Sequence, residues 1–419
     1  MWRDIIIDPV IIVDLRKRFV KEVNSQSVQL VELCQSLVQR PSENPPGDER
    51  AVAELVAKEL ISLGFEVELV EANPKRVNAL AILKGSGGGR NILFNGHMDT
   101  VPIGDRGLWT VDPLQGVVQN GWILGRGAGD MKGALASIIT ASRALQRSRI
   151  NLRGDLLIHA VADEETGGRF GTRYLVEKGF VTRKKADMAV VMEGSTYDRR
   201  VYFRSAVGGL LWLEIVTKGR ACHSSRPEEG INAVVKMAKI LLTLDKHKCK
   251  HKPHRLLPSP TVAPGTMIKG GTKENIIPES CTAIVDIRAV PGMTQENILG
   301  EVGAILEGLK IEDPELKAEM RPKYWWPPAE PSESEEVFKI AKSAAEYVVG
   351  YDVTARGGPG SVDSSWLVET SRIPTVTFGP GDQRLTRTHG SDERVEIDKL
   401  VDFAKIYGLM AMEACGVVK

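Results

Sequence analysis

The sequence predicts an α/β domain interrupted by a smaller ferredoxin-like α+β domain. Two patterns predict it. Apolar runs of strand length alternate with amphipathic helices up to about residue 192 and again after 334. That is the order of an open α/β sheet covered on both faces. From about 205 the order becomes β-α-β-β-α-β, as in a small ferredoxin-like domain. The chain's 419 residues suit two or three domains of roughly 100–200 residues each. We place the α/β domain at 1–205 and 323–419 and the insertion at 206–322.

The elements follow in order. Val28, Val31, Leu33, Cys34, Leu37 and Val38 recur at helical spacing over 27–39. The turn-rich RPSENPPGDE leads into a second helix at about 49–63, stopped at Gly64. Strands are expected at 65–71, 78–84 and 91–94, with SGGG (86–89) as a hairpin turn. A glycine-rich turn opens the helix 131–147, and the apolar runs 155–162 and 187–192 read as buried strands. The insertion supplies strand 210–217, helix 229–244, strands 261–269 and 280–289, helix 294–309 and strand 315–321. KYWWPPAEP (323–331) reads as a linker. Helix 334–349, the loop GGPGS (357–361), strand 373–378 and helix 397–414 complete the first domain.

Lys and Arg number 55 against 54 Asp and Glu, a balance that gives no electrostatic reason to expect nucleic acid. Five scattered cysteines, with no Cys-x-x-Cys pair, fit a reducing compartment rather than a disulfide framework. Asp8 and Pro9 interrupt the apolar run at the N-terminus and no small-residue cleavage site follows, so no signal peptide is expected. No stretch reaches the ~18 apolar residues of a membrane span. The expected location is the cytoplasm, with no membrane or nucleic-acid partner.

Candidate ligands cluster at strand ends. His97 and Asp99 lie just past 91–94, and Asp130 sits between a glycine turn and a helix. Asp163, Glu164 and Glu165 cap 155–162, Glu193 caps 187–192, and His389 follows 373–378. Open α/β sheets bind ligands outside the carboxyl ends of their strands. Zinc accepts imidazole and carboxylate and prefers about four ligands. One His and one terminal Glu for each of two ions, with Asp130 and a water-derived oxygen bridging, satisfy both. Two divalent ions then offset three carboxylates and a hydroxide, so burial is tolerable. Asp99, two residues from His97, can accept the second imidazole N–H. Glu164 is left over beside a ligand and can act as general base.

Blander readings hold elsewhere. Alone, an Asp-Glu-Glu run is usually a solvated turn. His159, between Leu157 and Val161, reads as a core histidine. KHKCKHKPHR (246–255) has three His and a Cys but no zinc-finger spacing, and reads as a solvated loop. KGSGGGRN lacks the Gly-Lys-Ser/Thr of a phosphate loop. Cys222 and His223 are chain neighbours that an extended segment points apart, which disfavours a thiol dyad.

Eight segments together resemble the zinc aminoacylase, carboxypeptidase G, acetylornithine deacetylase and succinyl-diaminopimelate desuccinylase family. They are NGHMDTVP (95–102), GRGAGDMKG (125–133), ADEETGG (162–168), MEG (192–194), GRACHSSRPEEGINA (219–233), KENIIP (273–278), DIR (286–288) and THGSDE (388–393). The resemblance implies a zinc-peptidase-like catalytic domain and an inserted dimerisation or lid domain. It implies that His97, Asp130 and Glu193 hold one zinc and Asp130, Glu165 and His389 the other, with cobalt or manganese as substitutes. Glu164 would be the base and Asp99 the His97 orienter. His223 would help hold the substrate carbonyl oxygen in the active site of the partner in a homodimer. Asn275 and Arg288 match positions that bind a substrate carboxylate. GPGSVD (358–363) departs from the usual Gly-Thr-Ser-Asp loop, with Gly360 and Ser361 at the matching contacts. The implied activity is removal of an acyl group from an N-acyl amino acid of the acetylornithine or succinyl-diaminopimelate kind. The alternative is a metallo-carboxypeptidase or dipeptidase using the same site on a short peptide. A catalytically dead binding protein would lack a ligand or the base, and neither is missing.

Overall fold

The computed structural model describes residues 9–418. The apolar run read for a signal peptide begins before them and lies in part outside the described residues. The chain forms two compact units: Met1–Ser205 with Pro331–Arg356 and Val362–Lys419, and Ala206–Glu330 with Gly357–Ser361. Among the described residues no helix is long and apolar enough to cross a membrane.

The first unit is built on a mixed sheet. Among the described residues, six of its nine strands run in the order Glu66–Asn73, Arg76–Leu83, Leu156–Val161, Ile92–His97, Met188–Tyr197, Thr375–Asp382. The first three pair antiparallel and the last four run parallel. Their carboxyl ends therefore share one edge. Ile92–His97 and Leu156–Val161 are buried throughout, as expected of parallel strands covered on both faces. The helices Gly133–Arg147 and Ile397–Cys415 pack into a core with Phe94, Phe378 and Phe403. Each such side chain contributes about 1.5–3 kcal/mol by leaving water.

The second unit is a four-stranded antiparallel sheet in the order Thr261–Gly270, Ser280–Ala289, Gly209–Lys218, Lys317–Trp326. Helices Ala233–Asp245 and Gln295–Glu312 complete it, and their apolar faces close a separate core. Element order and sheet order are those of a ferredoxin-like unit.

Three expectations need correction. Residues 323–326 are not linker: the last strand runs on to Trp326, and the second unit to Glu330. The strand lies at a sheet edge, where Pro322 removes no ladder hydrogen bond, and Lys323 is bulged out between Pro322 and Tyr324. The SGGG turn does not close a hairpin, because Leu156–Val161 slots between the two strands it was expected to pair. Its glycines answer to other needs: Gly87 and Gly88 take positive φ, 96° and 78°, and a Cβ at Gly89 would stand 1.9 Å from the Cys415 carbonyl oxygen. A first helix, Pro9–Ser25, was not anticipated. Its signal was Leu15, Phe19 and Val23 at four-residue spacing, and Phe19 fits against a surface opened by Gly408.

Candidate metal centre

The carboxyl edge of the parallel strands gathers seven polar side chains of the first unit. His97 ends its strand and Glu193 lies within Met188–Tyr197. Glu164 and Glu165 begin a 3-10 turn after Leu156–Val161. Asp163 builds that turn from the left-handed region, at φ 67°. Its carboxylate accepts from Arg76 Nη2 (2.9 Å), Asn44 Nδ2 (3.1 Å), Thr166 Oγ1 (2.5 Å) and the Phe170 amide (2.9 Å). Of the Asp-Glu-Glu run, then, the first residue shapes the chain and the next two are presented to the site.

Asp130 stands at the centre. Its Oδ1 is 3.0 Å from His97 Nε2 and its Oδ2 is 3.3 Å from His389 Nε2. Glu193 Oε1 lies 3.2 Å from His97 Nε2, and Glu165 Oε2 lies 3.2 Å from His389 Nε2. One carboxylate thus faces two imidazoles through different oxygens, and each imidazole has its own glutamate. Ligand atoms of His97, Asp130 and Glu165 fall within 4.8 Å of one another, as do those of His97, Glu164 and Glu193. Glu165 Oε1 is buried with no hydrogen-bond partner among the described residues, and buried carboxylate oxygens seldom stay unpaired. This nitrogen–oxygen donor set fits a pair of divalent ions.

The field of the cluster favours positive charge. Contacts with Asp130 and Glu165 push His389 up to about 10. Burial works against a proton on His97, yet Asp130, Asp99 and Glu193 outweigh it and hold its pKa well above the usual value. The same imidazole contacts outweigh burial at Asp130 and keep it below the ordinary carboxylate range. Burial, with Asp130 beside it, raises Glu165 to about 7. Glu164 is raised well above the usual range, by burial first and then by Glu193 and Glu165, against the pull of His97. His389 sits at φ 66°, a conformation a non-glycine residue adopts at some cost and one that recurs at functional sites.

Asp99 faces His97 with both its backbone and its carboxylate. The nearer acceptor to His97 Nδ1 is the Asp99 backbone oxygen, at 2.9 Å, with the carboxylate at 3.5 Å. That carboxylate accepts the backbone amides of Glu164 (3.0 Å) and Glu165 (3.1 Å) and Asn44 Nδ2 (2.8 Å). It aligns both glutamates through their main chain.

Sequence reasoning missed a second brace. Buried Glu393 accepts the amides of Gly127 (3.0 Å), Gly129 (3.1 Å) and Asp130 (3.1 Å) through one oxygen and Arg126 Nη1 (2.5 Å) through the other. Four donors on one carboxylate fix the loop that carries Asp130. Both residues stand in segments that carry the resemblance, GRGAGDMKG and THGSDE, without a role attached. Buried Asp363, raised to about 7 by burial, was also missed; it accepts from Thr172 Oγ1 (2.7 Å) and Asn95 Nδ2 (3.2 Å).

His223, Asn275, Arg288, Gly360 and Ser361 belong to the second unit. His223 and Asn275 are exposed on adjacent segments, where the Ser224 amide donates to the Asn275 carbonyl. The Ser225 amide donates to His223 Nδ1 at 3.1 Å. In the neutral ring, Nε2 therefore carries the proton. Arg288 is held by Asp286 through Nε and Nη2, at 2.8 and 3.1 Å. Gly360 is exposed, and Ser361 Oγ is buried with no hydrogen-bond partner among the described residues.

Comparison with known proteins follows the same lines. N-formyl-4-amino-5-aminomethyl-2-methylpyrimidine deformylase of Halalkalibacterium halodurans is 28% identical, covering 94% of this chain and 96% of the relative. Acetylornithine deacetylase of Proteus mirabilis is 34% identical over 66% of this chain and 71% of its own length. The solved structure of human carnosine dipeptidase 1 superposes with a TM-score of 0.78 at 17% identity, over 96% of this chain and 99% of that one. Residues 93–413 match peptidase family M20/M25/M40, and the chain belongs to that family of metallohydrolases acting on amide or peptide bonds.

Proposed function

We propose that the protein is a di-zinc deacylase that hydrolyses the linear amide of an N-acyl amino acid. The observation that carries this reading is Asp130, one oxygen toward His97 and the other toward His389, each imidazole with its own glutamate. His97, Asp130 and Glu193 would hold one ion, and Asp130, Glu165 and His389 the other. Two zinc ions there, or cobalt or manganese, would polarise the amide carbonyl and acidify water. Glu164, buried beside His97 and Glu193, is left outside that assignment. Its raised affinity for a proton suits it to take one from the attacking water and hand it to the leaving amine. Asp99 positions Glu164 and Glu165 through their amides. His223, with its proton on Nε2, is a donor for the developing oxyanion. Asn275 and Arg288 are donors for a substrate carboxylate, and Gly360 and Ser361 are further substrate contacts.

The second unit supports a homodimer. On its edge strand Met267 is 70% exposed, and on the helix Ala233–Asp245 Leu242 is 65% exposed. An unpaired strand edge beside apolar side chains is a surface that a second copy covers.

The test is a substrate panel with added zinc, cobalt or manganese: N-acetyl and N-succinyl amino acids, an N-formyl amine, and dipeptides. Acyl amino acids should be preferred, with activity lost to a chelator and about two metals bound per chain. An active preparation without stoichiometric metal would refute the mechanism. Preference for dipeptides or for the formamide would move the substrate class.

A further inference from the structure

The geometry points to a second kind of metal site, in the second unit, formed by His247, Cys249 and Glu301 for a single zinc-like divalent ion. Their ligand atoms all lie within 4.8 Å of one another. The site is separate in chemistry from the nitrogen–oxygen cluster above, because it offers a thiol.

The argument begins with the pattern KHKCK at 246–250. In an extended segment successive side chains face opposite ways. Lys246, Lys248 and Lys250 are exposed, whereas His247 is half-buried and Cys249 is buried. The expected solvated loop is therefore two-faced: its lysines meet water, and its imidazole and thiol turn inward. Glu301, on the helix Gln295–Glu312, meets them. Its Oε2 is 3.1 Å from His247 Nε2, and both its oxygens accept the Lys250 amide, at 3.2 and 3.1 Å.

A plain ion pair would explain His247 and Glu301. Cys249 packs in the second core, and an ion pair alone makes no use of its thiol. A tetrahedral zinc site with bonds of about 2.0–2.3 Å places its ligand atoms roughly 3.3–3.7 Å apart, and the His247–Glu301 separation is already close to that. Charge also balances. Cys249 loses its thiol proton to solvent as the metal–sulfur bond forms, and thiolate, carboxylate and neutral imidazole together offset one divalent ion. Three protein ligands leave a fourth position. Glu301, with Lys250 and His251, also lines a cavity of ≈ 860 Å³. Bound metal would tie the 246–252 segment to the helix within this unit.

Cobalt reports this site separately from the other. A cobalt–thiolate bond gives an intense near-ultraviolet charge-transfer band, which imidazole and carboxylate ligands do not produce. Titrating the full-length protein with Co²⁺, of which the other cluster can also take up two equivalents, should raise that band to a plateau of one thiolate-bound cobalt per chain. Cys249→Ser should abolish it, and His97→Ala, which damages the other cluster, should leave it intact. His247→Gln should weaken Co²⁺ binding at the band by roughly 10–100-fold or more, since even outer partners of a metal ligand cost that much. Circular dichroism confirms that each variant folds. No band in the native sequence, a band that survives Cys249→Ser, or unchanged affinity in His247→Gln would overturn the assignment.

Discussion

The buried acid–imidazole cluster of the first unit and the exposed His223 and Asn275 of the second hold candidate chemistry in opposite ways. In the first, His97, Asp99, Glu164 and Glu193 are buried, and Asp99 and Glu393 brace the backbone beneath the ligands. In the second, His223 and Asn275 are exposed, and the local hydrogen bonds of His223 set its tautomer without enclosing it. The difference is physical. Carboxylates crowded away from water need a fixed counter-charge, so their positions must be rigid before any substrate arrives. A donor at the surface, such as His223, carries no such penalty and can wait there for a substrate or a second copy.

The sharpest way to break this comparison lies within the Asp-Glu-Glu run. Glu164→Gln keeps shape but removes the proton carrier, so turnover should fall by about 10²–10⁴-fold with metal content nearly unchanged. Glu165→Gln removes a ligand and should lower metal content instead. Steady-state kinetics beside elemental analysis reads both. Near-normal turnover in Glu164→Gln would remove it as the base, and equal metal loss in the two variants would merge their roles.

A second test asks whether the exposed residues act across copies. His223→Ala alone should cost on the order of 10²–10³ in turnover, as loss of an oxyanion donor does. If His223 serves the partner's site, a hybrid of His223→Ala with Glu164→Gln contains one intact site of two. Random mixing makes half the dimers hybrid, so roughly a quarter of native activity should return by two-fold symmetry. Hybrids proven to form yet inactive would confine His223 to its own chain.

Much of the first unit was legible because its signals are local. A strand with a His, Asp or Glu at or just past its apolar run declares both the element and a candidate ligand, which is how His97, Glu165 and Glu193 could be proposed from the chain. What stayed hidden depends on residues far apart. Glu393 acts on amides more than 260 residues earlier, and no periodicity predicts a side-chain-to-backbone bond. The SGGG turn misled because only the third strand, inserted later in sequence, shows that its neighbours do not pair. KHKCK meets solvent at its lysines as its composition suggested, whereas its two-residue alternation carried the inward turn of His247 and Cys249.

The smallest expected effect contrasts His97 and His389, each beside carboxylates, with the core histidine His159. His159 faces Leu80 on the neighbouring strand, is buried, and its Nδ1 has no hydrogen-bond partner among the described residues. Burial first, then Lys185, lowers its pKa to about 3, so the folded state holds it neutral. An unfolded chain accepts the proton near the ordinary value of about 6.5. Below that pH the unfolded state binds more protons, and stability falls as the pH drops toward 3. The slope approaches about 1.4 kcal/mol per pH unit, or roughly 3 kcal/mol between pH 6.5 and 4. His97 and His389 have raised values, so their protons stabilise the fold at low pH and cannot cause this loss. His159→Leu keeps the volume and removes the titration. Urea midpoints measured at pH 7 and at pH 4.5 should then lie closer together in the variant than in the native sequence. An equal drop in both proteins would mean that His159 is protonated in the fold, and that the acid sensitivity comes from elsewhere.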